Sequence, residues 1–350
     1  MHMSNKQQLH PHFDPNSYAV KNGHFIGLPY TQEEATVVIL PVPWEATVSY
    51  AAGTALGPAT ILDASYQLDL LDWDIPNAWE TPIFMQPVDK DILEQSNQAR
   101  HWAEKHIDCL EHQKPIQEDL IKQINQASRQ LNQWVYEESK TLLEQGKLVG
   151  LVGGEHSIPL GYLKALAEKH SDFGILQIDA HCDLRQAYEN LTYSHASIFY
   201  NILETIPQVT QLVQVGIRDA CPAEIAYAQQ SKRVSIHNMT SIRQHQYQQQ
   251  SFHDRCQRII APLPQKVYIS FDIDGLDPKL CPNTGTPVPE GLEFSEAFYL
   301  IQQLVNSGRQ LIGFDLCEVG SASEWDGNVG ARVLYKLALY LAHFSNQQSS

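Results

Sequence analysis

Positive charge is scarce in this 350-residue chain: 24 Lys and Arg stand against 40 Asp and Glu, giving a formal net charge of −16. Phosphate backbones and anionic lipid surfaces are held by clustered Lys and Arg, so no nucleic acid and no membrane is an expected partner. Long apolar runs are also missing, and none reaches the ~18 residues that cross a bilayer. The six cysteines (Cys109, Cys182, Cys221, Cys256, Cys281 and Cys317) form no CxxC pair. With no secretory leader ahead of them, they point to a reducing compartment, and the expected location is cytoplasmic. No internal repeat and no low-complexity tract stands out beyond a Gln-rich patch at 244–250. Composition thus excludes collagen, mucin-like stalks and disulfide scaffolds.

What is present suits a globular enzyme. The hydrophobic share is 43%, enough for a large core and too high for wholesale disorder. An acidic balance raises the local concentration of a small cationic substrate. At about 150 residues per domain the length allows two domains, but α/β sheets often run past ~250 residues as one. The expected organisation is an N-terminal arm at 1–34 and one domain at 35–345, with a helical insertion at about 90–146. Met1-His2-Met3 reads as a cloning scar and is set aside.

Periodicity gives the fold class. Short β-branched or apolar runs at Ala35–Pro41, Leu148–Val152, Phe173–Ile178, Leu212–Ile217, Lys266–Phe271 and Gln310–Leu316 alternate with helical segments. Buried runs in that alternation predict an α/β fold: a mostly parallel sheet covered on both faces, α/β/α. Gly53, Gly57 and Pro58 mark a loop leading into a helix near 58–65. Residues 90–146 predict two helices divided at Pro115, the second with an apolar stripe through Ile121, Ile124, Leu131, Trp134, Val135, Leu142 and Leu143. The polar segment 4–35 predicts little regular structure.

The chemistry lies at the carboxyl ends of the strands, where open α/β sheets bind ligands. Four predicted strands end in polar clusters: Glu155-His156-Ser157, Asp179-Ala180-His181-Cys182-Asp183, Asp272-Ile273-Asp274 and Cys317-Glu318. Asp179, His181 and Asp183 fall at i, i+2 and i+4, one face of an extended segment, with Cys182 on the other. Such a segment spans about 13 Å at ~3.3 Å per residue, so one ion reaches both ends only if the chain curls; otherwise two ions are needed. Four converging carboxylates, about −4 in charge, persist only if neutralised, and two divalent ions supply that charge. With His156 and His181 the donor set is oxygen-rich and free of thiolate, which favours Mn²⁺ over a structural Zn²⁺ site and tolerates Ni²⁺. Two adjacent ions share and acidify a water, a nucleophile near neutral pH. Asp277, before Pro278, reads as turn chemistry, and the remaining histidines read as ordinary surface or core residues.

These residues carry a resemblance. GGEHS (153–157), DAHCD (179–183) and SFDIDGLDP (270–278), with GTPVPEGL (285–292) and the Glu318 strand end, resemble the signature motifs of the ureohydrolase superfamily, which includes arginase, agmatinase and formiminoglutamase. The likeness runs from about Ala35 to Leu341. It implies an arginase/deacetylase-type fold, a binuclear Mn²⁺ centre and hydrolysis of a guanidino group to urea. It further implies His156, Asp179, His181, Asp183, Asp272 and Asp274 as metal ligands, with Asp179, Asp183 and Asp272 shared between the ions. Glu318 stands where the family holds a Glu against the substrate, in a position to grip a guanidinium in a fork. His195, in TYSHASIFY, stands where arginases and agmatinases carry a catalytic His suited to moving a proton near neutral pH, although Ala196 replaces the usual Gly after it.

The substrate is less sharply written. PWEATVSYAAGTALGPATI (43–61) resembles agmatinases and marks Thr47 as a candidate substrate contact. Leu184-Arg185 after Asp183 resembles formiminoglutamases, and Arg185 is a candidate for a substrate carboxylate. Trp325 is a candidate for the pocket mouth. Agmatine leads, followed by guanidine, guanidinobutyrate, arginine and formiminoglutamate. Two other classes are weighed: a single-metal deacetylase on the same fold, and a non-catalytic family member. The resemblance also implies a homo-oligomer, a trimer or hexamer.

Overall fold

The computed structural model describes residues 13–345. Within them lie eight strands: β1 (Val37–Val42), β2 (Ile83–Met85), β3 (Leu148–Gly153), β4 (Phe173–Ile178), β5 (Val209–Val215), β6 (Val234–His237), β7 (Lys266–Asp272) and β8 (Gln310–Cys317). Every pairing is parallel, and the order across the sheet is β2-β1-β3-β8-β7-β4-β5-β6. The helices are α1 (Gly57–Ser65), α2 (Lys90–Glu111), α3 (Glu118–Glu144), α4 (Pro159–Lys169), α5 (Ile198–Thr205), α6 (Pro222–Ser231), α7 (Met239–Tyr247), α8 (Phe252–Ile260), α9 (Phe294–Asn306) and α10 (Glu324–Phe344).

Strand alternation splits the core into two layers. On β1, Val37 and Ile39 pack in one cluster with α1, α7, α8, α9 and α10, while Val38, Leu40 and Val42 pack in the other with α2, α3, α4 and α5. Successive side chains of a strand point to opposite faces, so six apolar residues in a row require a cover on both sides. This is the three-layer α/β/α arrangement expected from the sequence. The four strands that end in polar clusters, β3, β8, β7 and β4, are neighbours at the middle of the sheet. Late strands β7 and β8 insert between β3 and β4, which brings residues more than 100 positions apart to one rim. Such a switch of strand order opens the crevice in which α/β proteins bind ligands.

The break between α2 and α3 contains Pro115, as expected, and Asp89 caps α2 by accepting from the Asp91 and Ile92 amides. In the stripe of α3, Ile124, Leu131, Val135, Leu142 and Leu143 are buried. The N-terminal arm has only one helical turn, at Phe25–Gly27 among the described residues, yet it is not peripheral. Phe25, Ile26 and Leu28 are buried in the core beneath α1, and Ser65 Oγ accepts from the Ile26 amide. Residues 1–12, including the Met1–Met3 segment expected to be a cloning scar, lie outside the described residues.

One edge residue gives the fold a pH response. His237 ends β6 with Nε2 buried and unpartnered, and burial with the nearby Arg255 charge pushes its pKa down to about 4. An unfolded histidine titrates near ~6.5. Between those values the unfolded chain binds a proton that the folded chain refuses, so stability falls as pH drops through the window. His237→Gln is expected to shrink the loss of Tm between pH 7 and pH 5 relative to the parent. Equal losses in thermal melts of the two proteins would refute this.

Candidate metal centre and substrate cleft

The site is built where β3, β4, β7 and β8 end. Past Gly153 the chain turns sharply: a Cβ on Gly154 would sit 2.0 Å from the Trp44 carbonyl oxygen, so only glycine lets His156 swing over the sheet rim. Past β4 the chain curls rather than staying extended, with Asp183 in the left-handed region at φ 53°. The curl resolves the 13 Å problem. Asp179 Oδ2 and Asp183 Oδ2 lie 3.0 and 3.3 Å from His156 Nδ1, and Asp272 Oδ2 lies 3.3 Å from it. A second focus forms alongside, where His181 Nδ1 lies 3.0 Å from Asp274 Oδ2 and 3.7 Å from Asp179 Oδ1. All six expected ligand residues therefore converge, with Asp179 common to both foci. Cys182 faces away into the core, as expected.

The donor geometry fits divalent cations. His156, Asp179 and Asp183 offer atoms within 4.8 Å of one another, and so do Asp179, His181 and Asp274. Protonation follows from counting donors. Ser270 Oγ lies 2.9 and 2.8 Å from the Asp315 carboxylate oxygens and donates its one proton there. It must therefore accept from His156 Nε2, 2.8 Å away, which fixes a ring proton on Nε2 and leaves Nδ1, facing the three carboxylates, as the nitrogen a metal would take. Burial opposes a charged His156, yet the surrounding anions hold its pKa well above the usual imidazole range, so Nδ1 and three carboxylates form a ligand set that takes up a cation in exchange for a proton. Charge agrees: burial raises the Asp183 carboxyl and Asp179 adds to it, to about 7, while Asp272 is held well above the ordinary carboxylate range by burial, Asp274 and Asp179. Burial works against a charged His181, but Asp274 and Asp179 push its pKa up to about 12. The cluster draws positive charge from whatever group can supply it.

A third group, His156 with Asp315 and Cys317, lies behind the centre. Burial, reinforced by Asp315, holds the Cys317 thiol well above its usual pKa, so it stays a thiol that donates to Asp315 at 3.4 Å rather than a ligand. Ser270→Ala is expected to weaken divalent-metal affinity about 10- to 100-fold, the usual cost of losing the group that orients a metal-binding histidine. Metal titration by calorimetry checks it, and unchanged affinity would refute the tautomer assignment.

Beside the ligands opens a cleft of about 280 Å³, near the lower end of small-molecule sites. Its walls include His181, Asp183, Arg185, His195, Tyr50, Tyr188, Asp219 and Thr286. Glu318, left-handed at φ 63°, leans over the end of β3, and its Oε1 accepts from the His156 amide at 2.9 Å. Its Oε2 is buried without a partner. Burial and the neighbouring Glu155 raise its pKa well above the usual range, so the carboxylate gains from any cation placed before it.

The remaining candidates divide. Arg185 lines the cleft with its guanidinium 5.0 Å from the Tyr188 ring centroid. Thr47, expected at the substrate, is buried, and its hydroxyl bridges Glu155 Oε1 at 2.9 Å and His195 Nδ1 at 3.1 Å. Trp325, expected at the pocket mouth, is not among the lining residues. It is half exposed on α10, where its indole N–H reaches the Lys279 carbonyl and so turns away from the cleft. Asp277 makes a turn, accepting from the Lys279 amide.

Sequence reading missed several supports. Ser270 and Asp315 stand on β7 and β8 in the middle of apolar runs, and a polar residue interrupting a buried strand was the signal for them. Arg218 was missed as well. Its guanidinium donates to the Asp274, Leu276, Val288 and Pro289 carbonyls, clamping the loop that carries Asp274 and Thr286.

Comparison with known proteins places this geometry. The chain is 32% identical over 310 residues to an N(1)-aminopropylagmatine ureohydrolase of Thermococcus kodakarensis, covering 88% of this chain and 90% of the relative. It is 28% identical over 316 residues to an agmatinase of Pyrococcus horikoshii, covering 89% and 93%. The solved agmatine ureohydrolase of Thermoplasma volcanium has the same fold, with a TM-score of 0.68 at 21% identity over 91% of this chain and 94% of that one. The arginase-family model matches residues 35–343, nearly the whole described chain, and the protein belongs to the arginase family.

Proposed function

We propose that this protein hydrolyses a guanidino compound to urea, with agmatine as the leading substrate and putrescine as the other product. The observation that carries the reading is Glu318 Oε2, a buried carboxylate oxygen with no partner, on a residue that does not itself line the cleft but whose Oε1 holds the amide of the ligand residue His156. A planar guanidinium offers paired N–H donors that such a carboxylate accepts in a fork. Relatives named agmatinase and aminopropylagmatine ureohydrolase support an agmatine-type substrate.

His156, Asp183, Asp179 and Asp272 would hold one divalent ion, and His181, Asp274, Asp179 and Asp272 the other, so that Asp183, which stands by His156 and apart from the His181 group, would serve one ion rather than be shared. Mn²⁺ is the favoured metal for this oxygen-rich set, with Ni²⁺ as its alternative. When bound, the pair supplies a water acidic enough to act as nucleophile near pH 7. The chain's own groups do the rest. Glu318 orients the guanidinium carbon, and His195 carries a proton to the departing amine. The active unit is a single domain at 35–345, its core closed by Phe25, Ile26 and Leu28 of the preceding arm, in a cytoplasmic homo-oligomer, trimer or hexamer. Six free cysteines suit a reducing compartment.

A second reading rests on Arg185. Among the described residues its nearest carboxylate is Glu224, at 3.9 Å. A guanidinium so weakly paired favours a substrate with a carboxylate tail, such as guanidinobutyrate, arginine or formiminoglutamate.

The test is urea release from protein loaded separately with Mn²⁺ and Ni²⁺, against agmatine, guanidinobutyrate, arginine and guanidine, with formamide release from formiminoglutamate in parallel. Turnover of agmatine supports the leading reading. Activity confined to the carboxylate-tailed compounds moves the assignment to Arg185, and activity on guanidine with Ni²⁺ alone overturns both tail and metal. Light scattering decides the assembly.

A further inference from the structure

Behind His195 runs a chain of hydrogen bonds that the ligand set does not use. Glu155 is fully buried, and its carboxylate accepts three of them: from the Thr47 amide at 2.7 Å, the Thr47 hydroxyl at 2.9 Å and the Ser157 hydroxyl at 2.6 Å. No Lys or Arg pairs with it among the described residues. Thr47 has one hydroxyl proton, and it goes to Glu155. Its oxygen then has only lone pairs to offer toward His195. One accepts from the His195 backbone N–H at 3.1 Å, and the other faces His195 Nδ1 at 3.1 Å. For that second contact to be a hydrogen bond, Nδ1 must carry the proton; Ser194 Oγ, which accepts from the Ala196 amide, stands farther from the same nitrogen at 3.4 Å and is the competing hydroxyl beside the ring. Nε2 is then the bare nitrogen, and it has no hydrogen-bond partner among the described residues. The Tyr188 ring stands edge-on to the imidazole at a centroid distance of 5.8 Å and limits its rotation.

We propose that Thr47 and Glu155 are positioning residues that lock His195 as the Nδ1–H tautomer, so that Nε2 meets the cleft as a base. The proposal rests on the reading of His195 as the proton carrier. In that role Nε2 takes a proton from the attacking water and passes it to the leaving nitrogen as the C–N bond breaks and its electron pair stays on that nitrogen. Nδ1 keeps its proton throughout, held by Thr47. With the wrong tautomer, Nε2 has no lone pair to receive the proton, and turnover falls although substrate still binds.

Two measurements test this. The first is ¹⁵N-histidine NMR of the metal-free protein, with the His195 signals identified by their loss in His195→Ala. The expected pattern is a protonated Nδ1 and a bare Nε2, with the two tautomers mixed in Thr47→Val. The second is kinetics of metal-loaded variants. Thr47→Val and Glu155→Gln are expected to lower kcat about 10- to 100-fold, within the range of a misplaced acid–base group, at unchanged KM and metal content. Thr47→Ser is expected to restore kcat, and Thr47→Val is expected to cost nothing further in a His195→Ala background. A parental His195 protonated at Nε2, or a Thr47→Val loss that persists undiminished in that background, overturns the proposal. His195→Ala turning over at parental speed instead overturns the reading of His195 itself, a different failure that the NMR result distinguishes.

Discussion

Asp272→Asn is expected to remove bound metal and turnover together, with activity falling by more than about 10³-fold. Lewis-acid and nucleophile-generating roles are each worth several kcal/mol of barrier, so losing the ions costs on that scale. The substitution is selective because of what Asp272 does in the fold. Its Oδ1 caps the turn that follows β7 by accepting from the Asp274 amide at 2.8 Å. An asparagine oxygen makes the same bond. Its Oδ2 faces His156 and shares a crowded centre with Asp179 and Asp274, and that charge is what Asn removes. A carboxylate whose pKa is raised in the folded state destabilises that state when ionised, so at neutral pH the metal-free variant should melt no lower than the parent, and above it if anything. The parent should gain Tm on adding Mn²⁺, and the variant should gain little. Inductively coupled plasma analysis showing two ions per chain in an active Asp272→Asn protein would sink the ligand assignment.

Much of this site was legible because its chemistry is local in sequence. Asp179, His181, Asp183, Asp272 and Asp274 sit within a few residues of apolar strand ends, and a strand end is where a parallel sheet exposes side chains to a ligand. The six long buried strands were legible for a related reason: each is covered on both faces and reads as a mostly apolar run, interrupted only by scattered polar residues such as Gln177, Gln214, Ser270 and Asp315. The two strands not foreseen, β2 and β6, are the short edges of the sheet. The four residues of β6 are only half buried and include Ser235 and His237, so neither length nor hydrophobicity marks them. The unforeseen parts of the site have one cause. Thr47 meets Glu155 across 108 positions, and Ser270 meets His156 across 114. No spacing rule reaches that far: the first contact exists only once β1 has paired with β3, and the second only once β8 and β7 lie beside β3. The arm shows the same limit: its polar composition hid Phe25, Ile26 and Leu28, three residues that close the core beneath α1.

The other large effect is expected at Glu318, and it separates substrate binding from metal binding. In Glu318→Gln one oxygen still accepts from the His156 amide, so the turn after β3 and the histidine it carries keep their place. The second oxygen becomes an NH₂ group that points donors at a guanidinium, itself nothing but donors. A site built to pair a buried polar group rejects a mismatched partner by about 10⁴-fold, and kcat/KM for the guanidino substrate should fall by about 10³- to 10⁴-fold with both ions retained. The surroundings leave no easy compensation. A Cβ at Gly285 would lie 2.9 Å from Oε2, so the loop opposite comes close to the carboxylate and contributes no side chain to it. Stability should move the other way. Removing a buried, unpaired charge relieves a desolvation penalty, so Glu318→Gln should melt at or above the parent temperature. A variant more stable, fully metallated and inactive would identify Glu318 as a group kept for the substrate at a cost to the fold. Normal kcat/KM in a metallated Glu318→Gln protein would mean that the guanidinium is held elsewhere, and the fork assigned to Glu318 would have to be abandoned.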